Sequence, residues 1–242
     1  MLEQKGLLSK HDAIERIKAH LNHQLAYIRF YMKQYKEAIH HYETALRLRQ
    51  QLFPPNHIES ASLYYQIGLV YHNMGEYMKA LSNYDKALAI RLQSVAASPV
   101  NLALLYSSIG DVHRSMGEYA KALFYVEKAL EIQQESLPAN YLDLASSYYY
   151  IGKLYQSMGE DARALFNFEK AFEIEQQILP GNHGDVAVIY ARFALIEETW
   201  KNYAKAVSFI EKSINIAQKM FSPNDPRQQE YKNILDRLKS KI

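Results

Sequence analysis

"YQIGLVYHNMGEYMKALSNYDKALAIR", residues 65–91, holds two helix-like apolar patterns divided by one glycine. Before the glycine, Tyr64, Ile67, Gly68 and Tyr71 fall on one helical face at the i, i+3, i+4, i+7 spacing. After Gly75 the pattern resumes with Tyr77, Ala80, Leu81, Tyr84, Ala87, Leu88 and Ile90. A glycine at that break suits a helix C-terminus, where left-handed backbone costs it little. The same pattern returns in "YSSIGDVHRSMGEYAKALFYVEKALEIQ", residues 106–133, and "YYYIGKLYQSMGEDARALFNFEKAFEIE", residues 148–175.

Aligning Gly75, Gly117 and Gly159 gives a period of 42 residues. The units run 62–103, 104–145, 146–187 and 188–229, with a more diverged unit at 20–61. Ala26, Gly68, Gly110, Gly152 and Ala194 form one column of small residues. Ala38, Ala80, Ala122, Ala164 and Ala206 form a second, and Ala45, Ala87, Ala129, Ala171 and Ser213 a third. Tyr64, Tyr106, Tyr148 and Tyr190 share a tyrosine column, as do Tyr35, Tyr77, Tyr119 and Tyr203, with Asp161 in the fourth unit's place. Each unit reads as two antiparallel helices, with the tyrosine columns in the core. Small residues at fixed points let helices approach and large ones fill the gaps beside them.

The links repeat as well. Phe53, Val95, Leu137, Leu179 and Phe221 share a column expected to anchor the end of the second helix. Three residues on, Asn56, Ser98, Asn140, Asn182 and Asn224 are expected N-caps. Glu59, Asp143 and Asp185 follow in first turns, where an acid favours the helix N-terminus, and Pro99 and Pro226 fall where a missing N–H costs nothing. A single helical pair cannot bury its apolar face alone, whereas stacked copies bury a continuous core. The expected fold is all-α, a right-handed α-α superhelix of antiparallel helix pairs. Residues 1–19 form an N-terminal helical segment or partial repeat, 20–229 five repeats, and 230–242 a capping helix with Tyr231, Ile234, Leu235 and Leu238 on its apolar side. The basic residues of that helix are expected on a solvated face.

The chain of 242 residues is 48% hydrophobic and 22% charged, enough to bury a core. Its 28 Lys and Arg against 26 Asp and Glu give no general pull toward nucleic acid or anionic membrane. With no cysteine there is no disulfide, thiolate metal site or cysteine nucleophile. The longest uncharged run, Leu92 to Gly110, carries too many polar residues to span a membrane, and "MLEQKGLLSKHD" lacks an apolar stretch of signal-peptide length. A cytoplasmic location is expected.

The order small–aromatic in the first helix, then Gly, Tyr, Ala, aromatic and Ala, resembles the tetratricopeptide repeat. The link "ILPGNHGDVA", residues 178–187, is similar to that of the kinesin light chain subtype. The resemblance implies a protein-interaction array whose first helices line a concave groove. It has departures. There are no sustained heptads for a motor-binding coiled coil. The paired asparagines of kinesin light chain first helices are replaced by Tyr65–Gln66, Ser107–Ser108, Tyr149–Tyr150 and Ala191–Arg192. The carboxylate clamp of chaperone-binding relatives is also missing, because His23/Tyr27 and Tyr65/Leu69 stand at its positions.

On this reading the groove presents Tyr65, His72, Asn73, Asp111, Arg114, Tyr149, Lys153, Gln156 and Glu198. Tyr65 and Tyr149 would anchor an extended peptide, and Arg114 and Lys153 would meet its acidic groups. The alternative is that these aromatics pack against a neighbouring repeat, as is expected of Tyr27 and Phe30. No GxGxxG, GK[ST] loop or HExxH occurs, so neither an enzyme nor a cofactor or metal site is expected. His40 and His41 are adjacent on a helix, with rings expected on different sides, and His57 and His183 should sit just inside helix starts. Other readings are a self-associating array joined end to end, and a fragment of a larger multidomain protein.

Overall fold

The computed structural model describes residues 10–54, 57–94, 98–135, 141–178 and 184–242, all helical or in short turns and links. Two compact units divide the chain at Tyr125/Val126, within one helix.

The first unit holds α1 (Lys10–Tyr31), α2 (Tyr35–Leu52), α3 (Ile58–Asn73), α4 (Tyr77–Gln93), α5 (Pro99–Ser115) and the start of α6 (Tyr119–Glu135). α1 pairs with α2 and α3 with α4. One core joins Ala26, Ala38, Tyr42 and Ala45 to Leu63, Ile67 and Val70 of α3. The next joins Ala80, Tyr84 and Ala87 to Leu105, Ile109 and Val112 of α5. Each helical pair is therefore closed by the first helix of the next. The small column works by close approach. A Cβ on Gly68 would meet the Tyr84 ring at 2.5 Å, and one on Gly152 the Phe168 ring at 2.6 Å.

The second unit holds the rest of α6, α7 (Tyr141–Ser157), α8 (Asp161–Ile178), α9 (Gly184–Thr199), α10 (Tyr203–Met220) and α11 (Pro226–Lys239). Ala164, Phe168 and Ala171 pack with Ile189, Phe193 and Ile196 of α9. Ala206, Ile210 and Ala217 pack with Tyr231, Ile234 and Leu238 of α11. Tyr231, Leu235 and Leu238 stand four periods of 42 residues beyond Leu63, Ile67 and Val70, so α11 closes the last pair as a sixth first helix would. It begins at Pro226, four residues before the expected cap helix. At the other end, α1 is one continuous helix from Lys10 rather than a separate segment before residue 20.

The turns close as expected. Gly75, Gly117 and Gly159 have φ near +76° (75, 76 and 77). The Gly75 N–H donates to the His72 carbonyl at 2.9 Å and the Glu76 N–H to the Tyr71 carbonyl at 2.9 Å, the paired bonds of a Schellman motif. Lys33 and Lys201 adopt the same left-handed backbone without being glycine, at φ 59° and 62°.

Several local expectations are corrected. The N-cap of α11 is Asp225, not Asn224, because the Asp225 carboxylate accepts the Arg227 N–H at 2.9 Å. His57 is itself the N-cap of α3, its Nδ1 accepting the Glu59 N–H at 3.4 Å, rather than a residue inside the helix. Ser98 is the N-cap of α5 by position, without a side-chain bond. Asn56, Asn140, Asn182, Val95, Leu137, Leu179 and His183 lie outside the described residues. The tyrosine columns are half-buried rather than central: Gln50 donates to the Tyr64 hydroxyl at 3.2 Å and Gln134 to the Tyr148 hydroxyl at 2.9 Å. The rings of His40 and His41 meet edge-on, centroids 5.6 Å apart, where divergence was expected; His41 turns toward α1 and bonds Asn22 at 3.0 Å.

Candidate functional site

The expected groove residues lie on the odd-numbered helices, where Tyr65, His72, Tyr149 and Glu198 tie one such helix to the next. In the first unit, Tyr65 on α3 places its hydroxyl 3.3 Å from Ser108 Oγ on α5. The Tyr65 ring leans on Tyr84, centroids 5.7 Å apart, and burial raises its phenol above the ordinary range. About two turns further along, His72 Nε2 lies 3.2 Å from Ser115 Oγ and its Nδ1 3.9 Å from Asp111. Burial lowers the His72 pKa, against the pull of Asp111, so the ring stays neutral at neutral pH and its two nitrogens divide donor and acceptor roles. Arg114 reaches back to Asp111 with two N–H groups, at 2.7 and 3.0 Å. Asn73 is exposed and donates to the Leu69 carbonyl at 2.8 Å.

The second unit repeats the plan with other chemistry. Arg192 Nε on α9 donates to the Tyr149 hydroxyl on α7 at 3.3 Å. The Tyr149 ring packs against Phe168, centroids 5.5 Å apart, while Lys153 Nζ stands 5.9 Å from its centroid, within cation–π range. Gln156 is half-buried one turn on. Glu198 is held by α11: Arg237 donates two bonds to it, at 2.7 and 3.0 Å, and Lys241 one at 2.8 Å. Those bonds hold its carboxyl below the usual carboxylate range, the Arg237 bond first. The basic residues of this C-terminal segment, Lys232, Arg237, Lys239 and Lys241, are exposed as expected, and Arg237 and Lys241 also pair with Glu198. Among the described residues no three His, Asp or Glu side chains come close enough to hold a metal, and no helix is long and apolar enough to cross a membrane.

The tetratricopeptide repeat model matches residues 18–93 and 101–177, and a second tetratricopeptide repeat model matches 187–220. The chain belongs to the tetratricopeptide repeat family. Solved structures share the fold at low identity. The TPR-like repeats of a candidate kinesin light chain from Podosopora anserina align with a TM-score of 0.71 at 16% identity, covering 86% of this chain and 99% of that one. The apo form of RapI aligns at 0.74 with 22% identity, covering 92% and 83%. The Rap conjugation gene regulator of plasmid pLS20, in complex with the Phr* peptide, aligns at 0.63 with 19% identity, covering 98% and 61%. No curated protein matches the sequence.

As a tetratricopeptide repeat chain, it carries polar rungs between first helices that the 42-residue columns alone do not reveal. Tyr65–Ser108, His72–Ser115 and Tyr149–Arg192 are each 43 residues apart. A partner in the next unit therefore sits one place past its own column. Ser108 and Arg192 escape a reading confined to aligned columns, and a search at one period plus one finds both.

Proposed function

We propose that this tetratricopeptide repeat chain is a non-catalytic scaffold or adaptor that holds an extended peptide segment of a protein partner along its first helices. The observation that carries this is the half-burial of Tyr65, His72, Tyr149, Lys153 and Gln156: all five keep surface for a ligand, and the first four are also held by neighbouring side chains. Rigid aromatic anchors beside adaptable polar groups are what peptide recognition requires. Asp111 and Arg114 tune one unit, and Asn73 adds an exposed amide. Glu198 contributes by fixing α11. The Phr* complex of the pLS20 regulator supports peptide capture on a similar fold. The balanced charge favours a protein partner over nucleic acid or membrane, and we place the chain in the cytoplasm without a cofactor. The test is binding to a library of unstructured peptides beside a Tyr149→Ala, Lys153→Ala double variant that melts normally. Selective loss of binding in the variant is expected; peptides that bind both proteins equally would sink the groove reading.

A second reading, self-association, rests on α1. Leu21, Leu25 and Ile28 occupy the columns of Leu63, Ile67 and Val70, which close a preceding pair, and all three are exposed together with Ile14 and Ile17. The opposite end is closed by α11. A contact through α1 alone pairs like with like and gives a closed dimer, not a filament. Sedimentation at rising concentration is expected to show a monomer–dimer equilibrium abolished by Leu21→Lys; a concentration-independent monomer rejects this reading.

A further inference from the structure

The C-terminal end of each of the first four second helices carries a polar residue in a repeated column, Arg49, Arg91, Gln133 and Glu175, where the fifth has Ala217. Ten residues later, in the first turn of the next helix, stand Glu59, Asn101, Asp143 and Asp185. In the first repeat the two columns form an ion pair, with Arg49 Nε 3.4 Å from the Glu59 carboxylate and its guanidinium also bonded to the Glu59 carbonyl. That pair lines a cavity of 190 Å³ with Arg16, His20 and Phe53.

Three periods on, the cation is gone. Glu175 replaces the arginine and faces Asp185 across a cavity of 140 Å³ lined by Ser146, Tyr149, Val188 and Ile189. The space exceeds the roughly 10–15 Å³ that a single water needs. Glu175 is 7% exposed, and its Oε2 has no hydrogen-bond partner among the described residues. Burial, with Asp185 as the second cause, pushes its carboxyl up to about 7. Arg192, the cation on α9, is engaged with the Tyr149 hydroxyl, and Arg227 of α11 acts on the more exposed Asp185, so among the described residues it is the Glu175 carboxyl that has no cation of its own. A buried carboxylate with a carboxylate for a neighbour is costly unless a cation joins it. The first repeat shows which cation fits this place in the fold, since there the chain supplies a guanidinium itself.

We propose that the pocket between α7, α8 and α9 receives an arginine or lysine side chain of the bound partner, paired to Glu175 and Asp185 with the Tyr149 ring as its wall. The inference rests on the groove reading for the peptide, because Tyr149 belongs to both, but the pocket can be probed without one.

The probe is N-acetyl-arginine amide, with its neutral citrulline counterpart as control. Above neutral pH the arginine probe is expected to raise the melting temperature and to shift backbone amide resonances of α7, α8 and α9, while the citrulline probe does neither. Glu175→Gln is expected to weaken the arginine response roughly tenfold or more, as removal of a charge partner does. Glu175→Arg recreates the first-repeat pair with Asp185, melts higher without ligand and loses the response. Equal responses to both probes, or an undiminished response in either variant, would overturn the proposal. Library peptides that need Tyr149 but carry no excess of arginine or lysine would overturn it while sparing the groove reading. An arginine response without any peptide hits would sustain the pocket and reject the groove.

Discussion

Lys33 and Lys201 stand where the middle repeats use glycine, and both are forced into left-handed backbone, at φ 59° and 62°. The turn geometry overrides the residue: the Lys201 N–H still donates to the Glu198 carbonyl at 2.9 Å and the Asn202 N–H to that of Glu197 at 2.9 Å. A β-carbon is strained there. Lys201→Gly relieves the strain but loosens the unfolded chain, for an expected net gain of about 0.5–1 kcal/mol, read by chemical denaturation. A loss would show that the lysine side chain matters more than its backbone. Glu175 gives the pH counterpart. Its carboxyl is raised to about 7 from an ordinary 4.5, so the folded chain binds that proton more tightly than the unfolded one. The stability it contributes is full below about 4.5 and is lost as pH rises through about 7. The groups facing it are Asp185, which sharpens the loss, and Tyr149 with its partner Arg192. Glu175→Gln is expected to flatten the fall in stability across this window and to be the more stable form above it. Parallel curves for the two proteins would mean that Glu175 is solvated in both states.

At the scale of the element, α11 shows why an end helix is required. Leu238 is fully buried and stands in the column of Val70, Val112 and Ile196, each of which closes a preceding pair. Leu238→Ala opens a void between α10 and α11 and is expected to cost about 2–5 kcal/mol. The same change at the exposed Leu92 is expected to cost far less, so comparing the two melting temperatures isolates burial from helix propensity. The apolar side of α11 was legible in the sequence because Tyr231, Ile234 and Leu238 keep helical spacing. Its start was not, because Asn224 and Asp225 are both good caps and only side-chain geometry decides that Asp225 accepts the bond. The helix breaks at Gly75, Gly117 and Gly159 were legible for a backbone reason, since glycine tolerates the φ that the turn needs. The candidate groove was legible as a set of positions and illegible as a set of partners. Rungs such as Tyr149–Arg192 depend on the offset between neighbouring helices, which no helical wheel contains. The Glu175 pocket was missed for a related reason: its charge reversal shows only when second-helix columns are read against the first turn that follows them.

For the whole molecule, the two ends differ in how much surface they bury, and this sets where opening begins. α1 is the longest helix of the first unit, with 22 residues, yet only Ala19 and Ala26 are buried in it. α9, with 16 residues, buries eight, among them Ile189, Phe193 and Ile196. In a repeat array each helix depends on its immediate neighbours, so stability is a sum of local terms rather than one global quantity. α1 has α2 on one side and an exposed apolar stripe on the other, with Leu21 at 54% exposure. α9 has α8, α10 and the polar tie from Glu198 to α11. Amide hydrogen exchange on dilute protein is therefore expected to be fastest, among the first helices of each pair, in α1 and slowest in α9. If α1 pairs with a second copy, its protection rises with concentration while that of α9 stays constant. Uniform protection along the chain would instead require cooperative unfolding across all the repeats, and the unequal burial of α1 and α9 argues against it.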